Sequence, residues 1–490
     1  MNRVAFVNPP NHLNDLDDLA PPLGLLVLAE IAANQGWEPT IVDLALPRWA
    51  KLGEAPDSFY ESAKNAILQC EPVLVCFTTM GVNSHVVLEL VKQIKATTET
   101  VAVCVGGVHF SSISHQLSEI APSLDFLVFG EGESALKKLL SRLSQNTRLS
   151  GNLEIVFSDE RGNLKHPHSM YDLISLDHYF AANPRRVVNH ETGRGCVFKC
   201  KFCYSPSHYA ATREAEIDDV ASDWTRFVDL GFKHVFAVND NFTNDPRHAI
   251  KLCDKIESID LPLTWNGYAT LPQLSFKIIE ALGRSKCDSI YLGVDAVTPD
   301  QRKEFDKQFL RDEQTLLGKL KKLLDEGVHP TCAFILNLYD FKPDDVEATF
   351  EIAAKCASIG VSIRINSLTR YPGTSLEDGE TKARYSEAKM AMMFDCPNVV
   401  QQNDLARRWP REFPFHSTES SDEQVWTDRL RLIWIGQRLI QAYPDDILRF
   451  SANSKYSITS GLRQMVEKAN NSGLEKVLGK FFHLSSTEVY

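Results

Sequence analysis

The sequence contains neither an apolar run that could cross a bilayer nor an excess of basic residues. Its longest apolar stretch, Leu23 to Ala29, is far shorter than the roughly 20 residues of a membrane helix. The first apolar run ends at Pro9 and is too short for a signal peptide. The net charge of -12 argues against a protein that binds the phosphate backbone of nucleic acids. The sequence therefore predicts a cytoplasmic protein with no membrane span and no nucleic-acid partner.

A disulfide framework is also missing. Eight of the eleven cysteines are scattered, and those in apolar contexts, such as Cys76 and Cys104, are typical of buried thiols in a reducing compartment. The other three, Cys196, Cys200 and Cys203, lie within the single stretch ETGRGCVFKCKFCYSP. These three are the first candidate for a chemical function.

Three interpretations of these cysteines compete. A structural zinc site could take three cysteines and the nearby His208, although the spacing differs from the usual pairs of Cys-x₂-Cys. A redox pair of Cys200 and Cys203 would leave Cys196 without a role. A [4Fe–4S] cluster held by three thiolates would keep one of its four irons open to a small molecule.

Residues 1–145 alternate short apolar strands with helical patterns, which predicts a Rossmann-like or flavodoxin-like domain with a parallel sheet. Ligands of such domains bind at the carboxyl ends of the strands. Polar and glycine-rich segments follow four of the predicted strands there, and turn formation is their simplest alternative explanation. The candidate ligand-binding residues in these segments are Thr78, Thr79, Gly106, Gly107, His109, Glu131 and Gly132.

Residues 146–184 form a predicted linker. Its sequence LEIVFSDERGNLKHP predicts a β-hairpin around residues 159–163. His166 and His168 flank a proline, and we expect them to be solvated loop residues rather than ligands.

Residues 185–380 contain six further strand patterns, and a helical pattern can follow each of the first five. Six βα units in this length predict a partial, open barrel rather than the eight units of a complete TIM barrel. The cysteine stretch follows the first strand, at the carboxyl-end mouth where barrels carry their chemistry. Asn239, Asp240, Asp295 and Asn337 follow later strands, and helix capping or turn hydrogen bonding is the alternative role for them.

Residues 381–490 form a mostly helical region. An apolar face in it consists of Leu430, Leu432, Ile433, Ile435, Leu439 and Ile440. We expect this face to pack against the barrel or a partner, and the region to help select the substrate.

Cys-x₃-Cys-x₂-Cys with Phe202 before its last cysteine resembles the signature of the radical S-adenosylmethionine (SAM) enzymes. Later segments resemble the same family: VNDNF at 238–242, with Asn239 in place of an aspartate, GVD at 293–295 and YPGT at 371–374. The resemblance implies a [4Fe–4S] cluster on Cys196, Cys200 and Cys203 that binds SAM and cleaves it to methionine and a 5′-deoxyadenosyl radical. It also implies SAM contacts from Phe202, Asn239, Asp240, Asp295, Asn337 and Pro372.

The front domain is similar to the cobalamin-binding domain of B12-dependent radical SAM enzymes, through PPLGLLVLAE at 21–30, GGVHFS at 106–111 and GEGESAL at 130–136. This resemblance covers about residues 1 to 375 and implies that the candidate residues of the front domain bind cobalamin. The Asp-x-His-x-x-Gly ligand motif of the B12-dependent mutases is absent from residues 1–150. Bound cobalamin is therefore expected to lack a histidine as its lower ligand.

The resemblance implies most often a cobalamin-dependent methyltransferase that acts on an unactivated carbon of a natural-product or peptide substrate. One SAM would methylate cobalamin, a second would provide the radical, and an external reductant such as flavodoxin or ferredoxin would supply electrons. The main alternative is a rearrangement, cyclisation or epimerisation by the same radical. A methylthiotransferase would need three more clustered cysteines in its front domain, and a non-catalytic cobalamin- or zinc-binding regulator would leave the cysteine motif on a barrel loop unexplained.

Overall fold

The protein has an α/β fold built on two parallel sheets. A computed structural model describes residues 2–10, 19–46, 56–145, 152–209, 211–310, 312–338, 340–376, 432–433, 436–445 and 447–448. These residues form two compact units, one within 1–268, 284–288 and 369–421 and the other within 269–283, 289–368 and 422–490. The domain boundaries that the sequence suggests, at residues 145, 184 and 380, stay predictions.

The first sheet has six parallel strands in the order β2-β1-β3-β4-β5-β6. Its first five strands have the flavodoxin-like order, so that the predicted fold class is confirmed. The strands are β1 Arg3–Asn8, β2 Glu38–Asp43, β3 Leu74–Thr78, β4 Ala102–Gly106, β5 Phe126–Phe129 and β6 Glu154–Phe157. The helices between them are α1 Leu23–Asn34, α2 Pro56–Leu68, α3 Ser84–Thr97, α4 Val108–Ser112, α5 Leu117–Ile120 and α6 Gly132–Ser144.

Both faces of this sheet are buried. Val7 and Val75 belong to one apolar cluster, and their neighbours Phe6 and Leu74 belong to a second cluster. Because successive side chains of a strand point to opposite faces, the two clusters lie on the two sides of the sheet. Continuous apolar strands of this kind are typical of a parallel sheet covered by helices on both faces.

The β-hairpin expected around residues 159–163 is not formed. Strand β6 pairs in parallel with β5, in register from Phe126 opposite Glu154 to Phe129 opposite Phe157, and it extends the first sheet by one strand. The residues after it have no regular structure up to a 3₁₀ turn at His168–Leu173, followed by α7 at Leu176–Ala182. The apolar pattern identified the strand, but the free edge of β5 was a better partner than a local return strand.

The second sheet also has six strands, in the order β14-β13-β12-β11-β10-β7, which follows the chain. The pairs β7–β10, β10–β11, β12–β13 and β13–β14 are parallel. The strands are β7 Val187–His190, β10 His234–Ala237, β11 Thr264–Thr270, β12 Cys287–Asp295, β13 His329–Leu336 and β14 Ser362–Ser367, with a separate antiparallel pair of β8 Gly193–Arg194 and β9 Arg213–Glu214. The helices are α8 Ser205–His208, α9 Ile217–Asp229, α10 Pro246–Ile259, α11 Phe276–Arg284, α12 Pro299–Glu304, α13 Glu313–Asp325 and α14 Pro343–Ser358.

Part of the predicted carboxyl-terminal helical region covers the free edge of β14. Residues 436–442 are helical, and Gln437 and Gln441 accept hydrogen bonds from the backbone nitrogens of Ile365 and Ile363, both at 2.8 Å. These glutamines are four residues apart, so they share one helix face and can satisfy alternate donors of an edge strand. On the predicted apolar face, Leu432, Ile433 and Ile440 are buried and Leu439 is half-buried, while Leu430 and Ile435 lie outside the residues whose side chains are described.

Across the part of the chain that the structure describes, no helix is both long enough and apolar enough to span a membrane.

Candidate functional site

The three clustered cysteines lie on one loop between β8 and α8, just beyond the carboxyl end of β7. Cys200 is buried and Cys196 and Cys203 are half-buried, and none of them forms a disulfide. The backbone nitrogen of Cys203 donates a hydrogen bond to the carbonyl oxygen of Cys200 at 3.0 Å, which tightens the loop between these two thiols. Phe202, between them in sequence, is half-buried.

Polar residues at the end of β10 hold the start of this loop. A side-chain oxygen of Asp240 accepts a hydrogen bond from the backbone nitrogen of Gly195 at 2.9 Å. Asn244 accepts from the nitrogen of Val197 at 3.1 Å and donates to the carbonyl oxygen of Gly195 at 2.6 Å. Two side chains thus fix the backbone on both sides of Cys196.

Asn239, the residue that departs from the family pattern, accepts hydrogen bonds from the residue that precedes β8. Its buried Oδ1 accepts hydrogen bonds from both the backbone nitrogen and the hydroxyl of Thr192, at 3.1 and 2.7 Å. A carbonyl oxygen has two lone pairs, so these two bonds use its accepting capacity. The expected SAM contact of Asn239 stays a prediction, and it would have to use the amide nitrogen.

The donor set of the loop suits an iron–sulfur cluster better than a single ion. Among the described residues, no three His, Cys, Asp or Glu side chains converge so that they could hold one metal ion, as a zinc site of these cysteines with His208 would require. In a cubane cluster each thiolate binds a different iron, so the three sulfurs need not meet at one point. Three thiols on one loop, at a strand's carboxyl end, fit that requirement.

A cavity of about 500 Å³ lies beside this loop, within the first compact unit. Its wall includes the carboxyl ends of β1, β3, β4 and β5, together with residues around the ends of β7 and β10. Cofactor pockets commonly have volumes of ~300–1,000 Å³. The cavity therefore brings the end of the first sheet and the beginning of the second sheet to one concave surface.

Five of the seven residues predicted to bind cobalamin line this cavity: Thr78, Gly106, Gly107, Glu131 and Gly132. The other two, Thr79 and His109, are buried and do not line it. The Thr79 hydroxyl donates to the carbonyl oxygen of Gly106 at 2.7 Å, so this side chain joins two of the loops that form the wall.

The cavity wall has features that fit a broad, amide-rich cofactor such as cobalamin. Five glycines line it, which lets a flat macrocycle approach the backbone closely. Asn189 lines it as well, and its buried Oδ1 accepts no hydrogen bond from any described residue. A buried acceptor without a donor costs ~1–3 kcal/mol, and the amide side chains of a corrin could supply that donor.

Arg194, two residues before Cys196, is the centre of an ion-pair network in the same wall. Its guanidinium group contacts Glu131 and Glu191 at 2.6 Å and Glu133 at 2.7 Å. Arg213 forms a second ion pair with Glu131. Burial alone would raise the pKa of Glu131, but hydrogen bonds from Arg213 and Arg194 outweigh it and hold the pKa below its usual value.

Sequence reasoning missed Arg194, Arg213 and Asn189. Arg194 stands beside the cysteine motif, in GRGC, and this adjacency was the one available signal. Its role depends on acidic residues about 60 positions earlier in the chain, which only the tertiary structure brings near.

Asp295 and Asn337 lie in the second compact unit, at the ends of β12 and β13. Asp295 is buried, has a φ of 60° at a register shift of the sheet, and forms an ion pair with the buried Lys307. Asn337 donates to Glu304 at 2.6 Å and accepts from the backbone of Asp340 at 3.1 Å. Both side chains thus have protein partners, and their SAM contacts stay predictions.

The YPGT segment that contains Pro372 contacts α8, the helix that follows the cysteine loop. The carbonyl oxygen of Gly373 accepts a hydrogen bond from the hydroxyl of Ser207 at 2.7 Å, and Thr374 closes the turn by donating to the carbonyl oxygen of Tyr371 at 2.8 Å. Gly373 has a φ of 77°, a conformation that favours glycine.

The expectation that His166 and His168 are solvated is wrong. His166 is buried and its Nε2 is 2.9 Å from the Tyr171 hydroxyl, while Nε2 of His168 is 2.7 Å from a carboxylate oxygen of Asp223. The other oxygen of Asp223 is 2.9 Å from Nε2 of His190 on β7. The linker packs on α9 through this polar cluster, which the proline between the two histidines did not reveal.

Comparison with known proteins agrees with the arrangement of the site. Residues 14–140 match the B12 binding domain family, and residues 190–353 match the Radical SAM superfamily. The uncharacterized methyltransferase PH0819 of Pyrococcus horikoshii is 27% identical over 76% of this chain and 82% of that protein. The anaerobic magnesium-protoporphyrin IX monomethyl ester cyclase of Cereibacter sphaeroides is 21% identical over 72% of this chain and 59% of that protein.

Among solved structures, the radical S-adenosylmethionine methyltransferase TsrM of Kitasatospora setae, with tryptophan substrate and a SAM analog bound, has a similar fold. Its TM-score is 0.60 at 18% identity, over 78% of this chain and 77% of that one. The B12-binding match covers the cavity-lining ends of β3, β4 and β5, and the radical SAM match covers the cysteine loop. The chain therefore belongs to the radical SAM superfamily and is a radical SAM enzyme with a B12-binding domain, whose cofactors are a [4Fe–4S] cluster, SAM and cobalamin.

Proposed function

We propose that the protein is a cobalamin-dependent methyltransferase that transfers a methyl group to an unactivated carbon of a natural-product or peptide substrate. One observation carries this proposal: a single cavity is lined both by the predicted cobalamin-binding residues and by Glu191 and Arg194, which lead into the cysteine loop. Radical formation and methyl delivery must occur close to one substrate carbon, and a shared cavity provides that proximity.

The relatives support methyl transfer over the alternatives. PH0819, named a methyltransferase, matches the larger share of both chains, whereas the cyclase match covers 59% of the cyclase. The cyclase is nevertheless a specific reason to keep cyclisation as a second candidate function. Both reactions would use the same radical, so they differ in whether a methyl group leaves SAM.

The chain's own residues would bind and orient the cofactors. Cys196, Cys200 and Cys203 would hold the cluster, which supplies the electron that cleaves SAM. Phe202, Asn239, Asp240, Asp295, Asn337 and Pro372 are the proposed SAM contacts, and Thr78, Thr79, Gly106, Gly107, His109, Glu131 and Gly132 are the proposed cobalamin contacts. Of these, Asp240 has a second role, because its hydrogen bond to Gly195 fixes the loop that carries the first cysteine.

Arg194 would keep the cavity wall rigid and hold its charged side chains in fixed positions. Its side chain is 10% exposed and binds three carboxylates, so the acidic side chains of the wall are held in place. Preorganised groups of this kind do not have to reorient during the reaction.

The proposed substrate is a small molecule or peptide. The proposed reductant is an external protein such as flavodoxin or ferredoxin, and the proposed location of the reaction is the cytoplasm.

The cluster cysteines give the sharpest test. We expect the anaerobically reconstituted wild-type protein to bind roughly four irons per chain and to release 5′-deoxyadenosine from SAM under reductant. Cys200→Ala should lose cluster absorbance and lower 5′-deoxyadenosine formation at least ~100-fold, because a thiolate ligand is a large part of cofactor binding. Iron content and the chromatographic yield of 5′-deoxyadenosine are the measurements.

Cys253→Ala is the matched control, since Cys253 is a buried thiol in α10 that lies outside the cysteine loop. It should keep both the iron content and the 5′-deoxyadenosine yield. Equal 5′-deoxyadenosine yields from Cys200→Ala and Cys253→Ala would contradict the radical assignment. S-adenosylhomocysteine formed together with 5′-deoxyadenosine supports methyl transfer, whereas 5′-deoxyadenosine alone, with substrate consumed, supports cyclisation or rearrangement.

A further inference from the structure

The loop that carries the three cysteines has an exposed side directly beside its buried thiol. Val197 is 47% exposed, and Lys199 and Lys201 are exposed as well. Phe198 is half-buried, and Cys200, between the two lysines, is buried. Alternate residues of this stretch therefore face solvent and the protein interior. Val197, Lys199 and Lys201 together form the outer face of the cysteine loop.

The segment around this outer face contains basic residues but no acidic ones. Asp and Glu make up 64 of the 490 residues of the chain, yet residues 192–213 contain neither, while they include two lysines and two arginines. The arginines, Arg194 and Arg213, both form ion pairs with Glu131 of the front domain. The positive charge that the segment can offer to another protein is therefore that of its two lysines.

These two lysines have no acidic partner within the chain. Among the described residues, neither Lys199 nor Lys201 forms an ion pair. Other exposed lysines of this acidic protein are neutralised locally, as Lys286 is by Asp260 at 2.7 Å. The outer face of the cysteine loop thus keeps an unbalanced positive charge, although the chain as a whole has a net charge of -12.

The position of this charge matters because Lys199 and Lys201 flank Cys200, one of the proposed cluster ligands. Electron transfer slows steeply as the distance between donor and acceptor grows, so a protein that reduces the cluster has to dock against the loop that holds it. Interfaces for electron transfer are small, commonly below ~1,200 Å², and charge complementarity orients the partners. The acidic remainder of the chain repels an acidic partner and so favours its approach through this face.

We propose that the outer face of the cysteine loop is the docking site of the external reductant, and that this reductant is a small acidic electron-transfer protein. The inference rests on the proposed function, because it requires a cluster on Cys196, Cys200 and Cys203. In the docked complex, one electron leaves the reduced redox group of the partner and converts [4Fe–4S]²⁺ to [4Fe–4S]⁺. The partner is oxidised by one electron, and no covalent bond forms or breaks at this step.

The double variant Lys199→Glu/Lys201→Glu tests this surface with two reductants, photoreduced flavodoxin and photoreduced 5-deazariboflavin, which is small and uncharged. The variant should bind the wild-type amount of iron and be reduced by 5-deazariboflavin at the wild-type rate. Flavodoxin should reduce it at least ~10-fold more slowly at low ionic strength, because electrostatic steering changes association rates by ~10–10³-fold. Rapid-freeze electron paramagnetic resonance of the reduced cluster measures both rates.

The salt dependence should have opposite signs in the two proteins. Added salt screens attraction in the wild-type complex and repulsion in the variant complex. Reduction by flavodoxin should therefore become slower with salt in the wild-type protein and faster in the variant.

Lys277→Glu/Lys321→Glu is the matched control, because it changes the net charge by the same amount. Both lysines are exposed, on α11 and α13, and neither forms an ion pair with a described residue. This variant should keep the wild-type rates with both reductants. A measurement without variants is carbodiimide cross-linking of the wild-type protein to flavodoxin, which should join flavodoxin carboxylates to Lys199 and Lys201 and not to Lys277 or Lys321.

Equal rates of reduction by flavodoxin in the two double variants, or cross-links that avoid the cysteine loop, would overturn the docking site and leave the proposed function standing. A wild-type cluster that 5-deazariboflavin reduces but neither flavodoxin nor ferredoxin reduces would overturn it too. A reconstituted wild-type protein that binds no iron would overturn the proposed function and this inference with it. Iron content, measured first, distinguishes these failures.

Discussion

At the scale of single residues, the cluster around Asp223 shows how the linker is fixed to the second sheet. The indole nitrogen of Trp224 donates to Nδ1 of His190 at 3.2 Å, so the proton of neutral His190 is on Nε2, which faces Asp223. Burial raises the pKa of Asp223, but hydrogen bonds from His168 and His190 outweigh burial and bring it to about 2. An anionic carboxylate between two histidines thus remains charged down to strongly acidic pH.

His166 in this cluster should make the protein sensitive to acid. Burial, followed by repulsion from His190 and His168, lowers the pKa of His166 from 6.5 to about 2. The pKa of this histidine is lower in the folded state than in the unfolded state, so protonation favours unfolding. Its contribution to stability is complete above the unfolded-state pKa and is lost as the pH falls below about 6.5. From pH 6 to pH 4 we expect His166 to reduce the free energy of unfolding by ~1.4 kcal/mol per pH unit.

Urea unfolding at a series of pH values, followed by tryptophan fluorescence, measures this slope. His166→Phe should flatten it by about one proton, since phenylalanine cannot be protonated. His178→Phe, on the exposed side of α7, should leave the slope at its wild-type value. A slope that is the same in the His166→Phe variant and the wild type would show that His166 is protonated equally in the folded and unfolded states.

At the scale of elements, the loops after β3 and β4 approach each other too closely for any side chain at Gly107. This glycine has a φ of 103°, and an added Cβ would collide with the backbone oxygen and nitrogen of Thr79. Gly107→Ala should lower the free energy of unfolding by ~1–3 kcal/mol and weaken cobalamin binding, because the cavity wall must shift. Thermal unfolding and equilibrium dialysis of cobalamin measure the two effects.

Gly318→Ala is the control for this substitution. Gly318 lies within α13, and a Cβ there would meet no atom within 4 Å. Alanine favours a helix interior by up to about 1 kcal/mol relative to glycine, so this variant should be equally or more stable and should bind cobalamin normally. If Gly107→Ala behaved like Gly318→Ala, the close approach of the two loops would not matter for the cavity.

The elements themselves could be predicted well because their apolar periodicity is local. Helix α1 contains the apolar stretch at residues 23–29 and ends before Gly36, which has a φ of 75°. The strand patterns of both sheets also identified their strands. The hairpin failed because the choice between a local partner and the edge of β5 depends on tertiary packing, which alternation of apolar residues does not encode.

The candidate site could be predicted only as far as its chemistry is local. Three cysteines in eight residues identify a cluster loop from sequence alone. Arg194, Asn189 and His208 meet the first sheet only through the fold, so their partners could not be inferred from spacing. For Asn239, the motif identified the residue from the sequence, but its hydrogen bonds to Thr192 became apparent only in the structure.

At the scale of the whole molecule, the cavity predicts a pattern of protection on cobalamin binding. At 100 times its dissociation constant, a ligand stabilises the folded state by ~2.7 kcal/mol. Hydrogen exchange should slow in peptides from both sheets, namely 78–79, 106–109, 130–133 and 189–194, because all four contribute residues to one wall. Exchange in α13 should not change, since none of its residues lines the cavity.

Mass spectrometry with and without cobalamin measures this protection peptide by peptide. Slower exchange restricted to the three segments of the first sheet would show that the segment 189–194 does not take part in binding. The same comparison with SAM alone provides a reference, since the proposed SAM contacts include Asp295 and Asn337, at the ends of β12 and β13, which cobalamin should leave unprotected.

The ion pairs of Glu131 have a consequence for engineering chimaeric enzymes from this family. Glu131 precedes α6 of the front domain, while its partners Arg194 and Arg213 are in the cluster-binding part of the chain. A front domain transplanted from a relative without an acidic residue at this position would bury two guanidinium groups with one fewer carboxylate. Removing one member of a buried pair costs ~3–5 kcal/mol, so successful transplants should carry a carboxylate here or exchange both arginines with it.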